Sequence, residues 1–186
     1  RRQARLFVDS LIEFDGSTNK RTGVRRFYTS RPMHLEAFEL ASVIAAYQAA
    51  WRAAGHPGQG EVRLRLPIYV AETLEQAQTD PRPSVMSYYE RLRQSYLRSA
   101  QQLESAERTA QAAQLATLTY EELLQERVVF GTPRDVAERL HTVRQALGLS
   151  GFIIEPNVGG GISPERVARS LDLFAHAVAP RLREAL

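Results

Sequence analysis

The stretch VVFGTPRDVAERLHTVRQALGLSGFIIEPNVGGGISPERV, residues 128–167, constrains the fold most. It holds a helix marked at both ends, an apolar strand, and a second helix start. Thr132 is a good N-cap, Pro133 suits the first helical position, and Asp135 three residues after the cap makes a capping-box variant. Val136, Leu140, Val143 and Leu147 then recur at helical spacing, and Gly148 ends the run. Gly151 leads into Phe152-Ile153-Ile154, a non-alternating apolar run that reads as a buried strand. Ser163-Pro164-Glu165 opens the last helix, whose stripe is Val167, Leu171, Phe174 and Val178 and whose end is expected near Pro180. A helix, then a strand, then a helix joined by short loops implies parallel strands with helical crossovers, an α/β class.

The upstream chain fits that class. Leu40, Ile44, Tyr47 and Trp51 mark a helix over residues 35–54, stopped by Gly55-His56-Pro57-Gly58. Val62, Leu64 and Leu66 alternate with Glu61, Arg63 and Arg65, and Ile68-Tyr69-Val70 then runs continuously apolar. This predicts a strand that enters from solvent and finishes in a core, with Pro67 at a bulge or strand junction. Residues 73–126 are polar and mostly helical. Val85, Tyr88, Tyr89, Leu92, Tyr96 and Leu97 form an aromatic stripe there, read as core or a helix seam rather than a ligand wall, whereas residues 101–114 carry little apolar face. Nearer the start, Leu6–Phe14 reads as a short strand or helix, residues 15–19 as a turn cluster, and Arg26–Thr29 as a short strand.

In α/β folds ligands sit at the carboxyl ends of strands. Gly159-Gly160-Gly161 lies at such an end and before a helix N-terminus. Backbone N–H groups and the helix dipole there suit a phosphate or a flavin edge; the alternative is a glycine connector. Three glycines cost conformational entropy, so either something approaches the backbone closely or the loop takes positive φ. The spacing is neither a dinucleotide fingerprint nor a P-loop. Glu155 and Asn157, with Tyr69 and Glu72 at the end of the other clear strand, face the same mouth as pocket groups or loop caps. His34, His56, His141 and His176 show no metal spacing, and no metal site is expected. No Ser/His/Asp arrangement is visible, and no catalytic residue is assigned.

Composition excludes several classes. The chain has 186 residues, 44% apolar and 24% charged, an ordinary globular balance. No run approaches the ~18 apolar residues of a membrane span, and no membrane association is expected. With no cysteine there is neither a disulfide framework nor thiolate chemistry, and the cytoplasm is the default compartment. The formal charge is +3, with Lys20 the only lysine, yet the arginines stand among acids: Arg91 beside Glu90, Arg127 beside Glu126, Arg166 beside Glu165. Solvated helix faces account for them better than nucleic acid, and no nucleic-acid partner is expected.

Three stretches together resemble, in order, the C-terminal half of luciferase-like flavin-dependent monooxygenases. They are IAAYQAAWRAAGHPGQGEVRLRLPIYVAET, LTYEELLQERVVFGTPRDVAERLHTVRQALGLSGFIIEPNVGGG and PERVARSLDLFAHAVAPRL. The resemblance covers residues 35–186 and leaves 1–34 poorly matched. It implies a partial (β/α)8 TIM barrel: RLPIYVAET as the seventh strand, GFIIEPN as the eighth, and 73–126 as the helical insertion that is often a mobile lid in the family. It implies FMN, or alternatively F420, with Asn157, Gly159, Gly160 and Gly161 as cofactor contacts. Tyr69, Glu72 and Glu155 become substrate-pocket candidates. The implied reaction oxidises a small organic substrate with reduced flavin and O2, or transfers hydride when F420 is the cofactor. A whole barrel takes about 250 residues. The chain is therefore expected to be a portion of a longer enzyme, or else to cover its open barrel face with a second copy or another chain. The rival expectation is a non-catalytic α/β module used for protein association.

Overall fold

The computed structural model describes residues 37–184 and two short strands, β1 (Ser17–Thr18) and β2 (Arg25–Arg26), which pair antiparallel. The middle of the expected turn cluster is thus strand, its partner lying shortly downstream. The expectation for Leu6–Phe14, and that for residues 27–29, fall outside the described residues. The chain divides into two compact units: residues up to Leu66 with His141–Ile154, and Pro67–Leu140 with the chain from Glu155 on.

In the first unit, helix α1 (Ala37–Ala53) buries Ile44 and Tyr47, as their spacing predicts. Strand β3 (Arg63–Val70) begins there with Leu64 and Leu66 buried between exposed Arg63 and Arg65. The Ser150 N–H donates to the Val62 carbonyl at 2.8 Å, just before β5 (Gly151–Glu155).

The second unit carries the continuously buried end of β3, Ile68-Tyr69-Val70. From it follow α2 (Leu74–Thr79), α3 (Arg82–Leu103), α4 (Ala106–Ala116) and α5 (Tyr120–Glu126), which fill the polar segment expected to be helical. Three of these four helices start on a side-chain cap: Thr73 and Ser105 cap α2 and α4, and Thr119 with Glu122 closes a full capping box on α5. The weakly apolar α4 still packs, with Ala112 and Leu115 buried. The aromatic stripe resolves as core: Val85 and Tyr89 are buried, and Tyr88, Leu92 and Tyr96 pack against the same cluster.

Strand β4 (Val129–Gly131) was not legible as a strand; it pairs parallel to β3 with Ile68 opposite Val129 and Val70 opposite Gly131. Pro67 lies within a continuous β3, and the ladder with β4 starts one residue later, at Ile68. The sheet order is β4-β3-β5. Neighbouring barrel strands are consecutive, so β3 beside β5 fits adjacent barrel strands, and β4 is an extra short strand on the other edge of β3. Helix α6 (Pro133–Leu147) starts as expected: the Thr132 hydroxyl donates to the Asp135 carboxylate at 2.7 Å and accepts from the Asp135 N–H.

Strand β5 is half-buried throughout rather than buried, as befits an edge strand. Helix α7 (Pro164–Leu173) does not end near Pro180. It passes through a π turn, Phe174–Val178, into α8 (Ala179–Glu184). The Ala179 N–H reaches back five residues to the Phe174 carbonyl, and this widened turn just ahead of Pro180 lets the helix continue past a residue with no N–H to give. Leu171 in the expected stripe is exposed. Among the described residues no helix is long and apolar enough to cross a membrane.

Candidate functional site

In the second unit, the carboxyl end of β3, the Glu155 end of β5, the base of α3 and the start of α7 come together. The three glycines sit here, and two of them are required by a close approach. A Cβ on Gly159 would lie 2.2 Å from the Ser84 carbonyl oxygen, and one on Gly161 3.1 Å from the Ser84 hydroxyl oxygen. Gly159 and Gly160 also hold φ of +87° and +76°. The approach and the left-handed backbone that the triplet announced both occur, and the approaching group is the first turn of α3.

Ser84 is the centre of this contact. Its buried hydroxyl donates to the Val158 carbonyl at 2.6 Å and accepts from the Gly161 N–H at 2.8 Å. Arg91, two turns further along α3, donates to the Gly159 carbonyl at 2.8 Å. Asn157 braces the loop from within: its amide accepts from the Ile162 N–H at 3.0 Å and donates to the Ile162 carbonyl at 3.2 Å. The Gly160 N–H donates to the Asn157 carbonyl at 2.9 Å. At the following helix start, the Arg166 N–H reaches the Ser163 hydroxyl.

A second contact set lies at the end of β3. Tyr69 is buried, and its phenol donates to Asp80 at 3.0 Å; Asp80 in turn pairs with Arg166 at 3.4 Å. Exposed Glu72 pairs with Arg169 at 2.7 Å. The buried Ser170 hydroxyl accepts the Val70 N–H at 2.8 Å, tying α7 to the last residue of β3. Tyr120 donates to the Gln78 carbonyl, with the Arg82 guanidinium 4.8 Å over its ring. Near the end of β5, the buried Arg127 lies 5.8 Å from the Tyr89 ring centre, and Tyr88 packs edge-on to Tyr89. Half-buried Glu155 adds negative charge to the Tyr89 environment.

Of the expected residues, Asn157 and the three glycines form one loop, Tyr69 and Glu72 share the end of β3, and Glu155 belongs with Tyr88, Tyr89 and Arg127. Ser84, Asp80, Arg91, Arg166 and Arg169 were missed. Only the glycine triplet carried any signal of a partner such as Ser84, a close approach being one of its readings. Among the described residues no cluster of His, Asp or Glu could hold a metal ion. His56 is exposed and stacks 4.4 Å from Trp51, and exposed His176 pairs with Asp172.

Three phenols are pushed up to about 12. Burial is the first cause in each, aided by the Asp80 hydrogen bond at Tyr69, by Tyr88 and Glu155 at Tyr89, and by Glu121 at Tyr120. Arginines act against the shift at all three. A folded value above the unfolded one, about 10, means the stabilisation is complete below pH 10 and is lost as pH rises toward 12. Of the seven tyrosines, these three should ionise late and together with unfolding, read as a second step in tyrosinate ultraviolet absorbance. A single step near pH 10 with the fold retained would show that these phenols are not enclosed.

A family model for luciferase-like monooxygenases matches residues 30–150, and the chain belongs to that family. No curated protein sequence matches the chain. Among solved structures it is similar to the oxygenating constituent of 3,6-diketocamphane monooxygenase from Pseudomonas putida, described as a type II Baeyer–Villiger monooxygenase in complex with FMN. That similarity has 20% identity and a TM-score of 0.58, and covers 82% of this chain and 41% of that one. It is also similar to EDTA monooxygenase from a Chelativorans species (21% identity, TM-score 0.50, 86% of this chain and 42% of that one). A third is the F420-dependent tetrahydromethanopterin reductase of Methanopyrus kandleri, at 13% identity and TM-score 0.51, covering 79% of this chain and 43% of that one. The fold is therefore that of luciferase-like barrel enzymes, of which the chain spans about two-fifths of the length.

Proposed function

We propose that this chain is the C-terminal portion of a flavin-dependent oxidoreductase of the luciferase-like type, which oxidises a small organic substrate with reduced flavin and O2. One observation carries the reading beyond family membership. The carboxyl ends of β3 and β5, where ligands of α/β barrels sit, are ringed by the insertion helices and the start of α7 within one compact unit. A bound flavin would supply the redox chemistry, and the protein would bind and orient it.

The triple-glycine loop does not fit a phosphate in this arrangement. The N–H groups of Gly160, Gly161 and Ile162 already donate to Asn157 and Ser84, and the Asn157 amide is occupied at Ile162. Tyr69 is committed to Asp80. Glu72 and Glu155 are the polar groups proposed for the substrate side, with Tyr88 and Tyr89 as the apolar wall beside Glu155.

Titration of the chain with FMN in both oxidation states, followed by flavin fluorescence, tests the reading. Saturable binding is expected, shared by riboflavin and indifferent to inorganic phosphate, since the loop N–H groups of Gly160, Gly161 and Ile162 are taken within the protein. Absence of saturable binding by FMN and by F420 would sink it. A second reading, a non-catalytic α/β module that associates through its sheet, is favoured by β5, which is half-buried along its whole length. A stable oligomer that binds neither cofactor would support that module.

A further inference from the structure

We infer that the triple-glycine loop is the seat of the helical insertion, and that Ser84 is the positioning residue that fixes the root of α3 to it. Three observations converge on this assignment. The first is commitment: one buried hydroxyl serves both the Val158 carbonyl and the Gly161 N–H, so loop and helix satisfy each other's backbone groups. Loss of the hydroxyl leaves the Val158 carbonyl without its partner in a buried contact and the Gly161 N–H without its partner in a part-buried one.

The second is steric. Gly159 and Gly161 are the two glycines whose missing side chains admit Ser84, whereas a Cβ on Gly160 would meet nothing within 4 Å. The smallest residues stand where the helix presses, beyond what a flexible connector needs. The third is redundancy at the root. Arg91 reaches the Gly159 carbonyl from the same helix, and Asp80, between α2 and α3, is held by Tyr69 from β3 and by Arg166 from α7. Residues 80–91 are thereby fixed from both strand ends. An insertion held this way does not hinge at its first residues; its base is a fixed wall of the mouth, and any opening belongs beyond Arg91. This holds whichever cofactor the site takes.

Amide hydrogen exchange on the full chain, followed residue by residue, tests the assignment with two variants. Ser84→Ala should speed exchange roughly 10-fold at the Gly161 amide and over Val85–Tyr89, while α1 stays within about twofold of the parent. Gly160→Ala strains the same loop by its positive φ but removes no contact with Ser84. It should speed exchange within the loop and leave Val85–Tyr89 protected. Uniform acceleration that includes α1 in Ser84→Ala would make Ser84 an ordinary contributor to global stability and overturn the assignment. Unchanged protection over Val85–Tyr89 in Ser84→Ala, or equal loss there in Gly160→Ala, would overturn it as well.

Discussion

Replacing Gly159 with alanine is expected to destabilise the protein by about 3 kcal/mol, against about 1 kcal/mol for the same change one residue on, at Gly160. Both glycines are in the left-handed region, at φ +87° and +76°, so both variants carry a similar backbone strain. They differ in what the new methyl meets. At Gly160 it meets open space. At Gly159 it meets the carbonyl oxygen of Ser84 at 2.2 Å, the carbonyl carbon at 2.9 Å and the hydroxyl oxygen at 2.8 Å. Two of these atoms are backbone in the first turn of a 22-residue helix, which has no rotamer to escape into. Either α3 shifts, losing the Ser84 bonds to Val158 and Gly161, or the loop does, losing the Asn157 brace. Urea denaturation of the two variants, compared with the parent, reads the difference as a shift in midpoint at constant slope. Equal midpoints for the two variants would show that Ser84 does not press on the loop.

What the sequence disclosed follows from the range over which each feature is determined. The start of α6 was legible because Thr132 and Asp135 cap it within four residues, and the split character of β3 because alternation and then continuity are written along its own length. Parallel pairing followed from the order of strands and helices. Strand β4 escaped because three residues next to a strong helix start carry no period of their own; its pairing with Ile68–Val70 defines it. The end of the last helix was misjudged because a proline usually stops a helix, and the π turn that accommodates Pro180 depends on backbone geometry that no residue pattern advertises. At the site, Gly159–Gly161 allowed a close approach or a positive φ and named no visitor. Ser84 stands 77 positions from Gly161, within a helix that it resembles in no special way. Asp80 was unreadable for the same reason, since its value as an acceptor for Tyr69 and a partner for Arg166 exists only after three elements meet.

The resemblance implied a helical insertion or lid over residues 73–126, and the packing of that segment makes Leu123→Ala informative. One apolar cluster joins strand residues Tyr69 and Phe130 and loop residues Val158 and Ile162 to Ala77, Val85, Tyr89, Leu115, Tyr120 and Leu123 of the helical segment. Leu123 is fully buried in it, as is Val128 just ahead of β4. Helix α5, with seven residues, is too short to persist by propensity and depends on this burial. Its Leu123 carbonyl also accepts the N–H groups of Arg127 and Val128, so a loosened Leu123 releases the chain that leads into β4. Truncation to alanine removes most of a buried side chain and leaves a cavity among fixed neighbours, and a loss of about 2–5 kcal/mol is expected. If strand ends and insertion form one cooperative core, unfolding should remain a single transition shifted to lower denaturant, with circular dichroism and tyrosine fluorescence coincident. A split transition, in which helical signal is lost first while the remainder holds its parent midpoint, would show instead that the insertion is a separable lid with Leu123 inside it. A loss below about 1 kcal/mol would contradict its place in the core altogether.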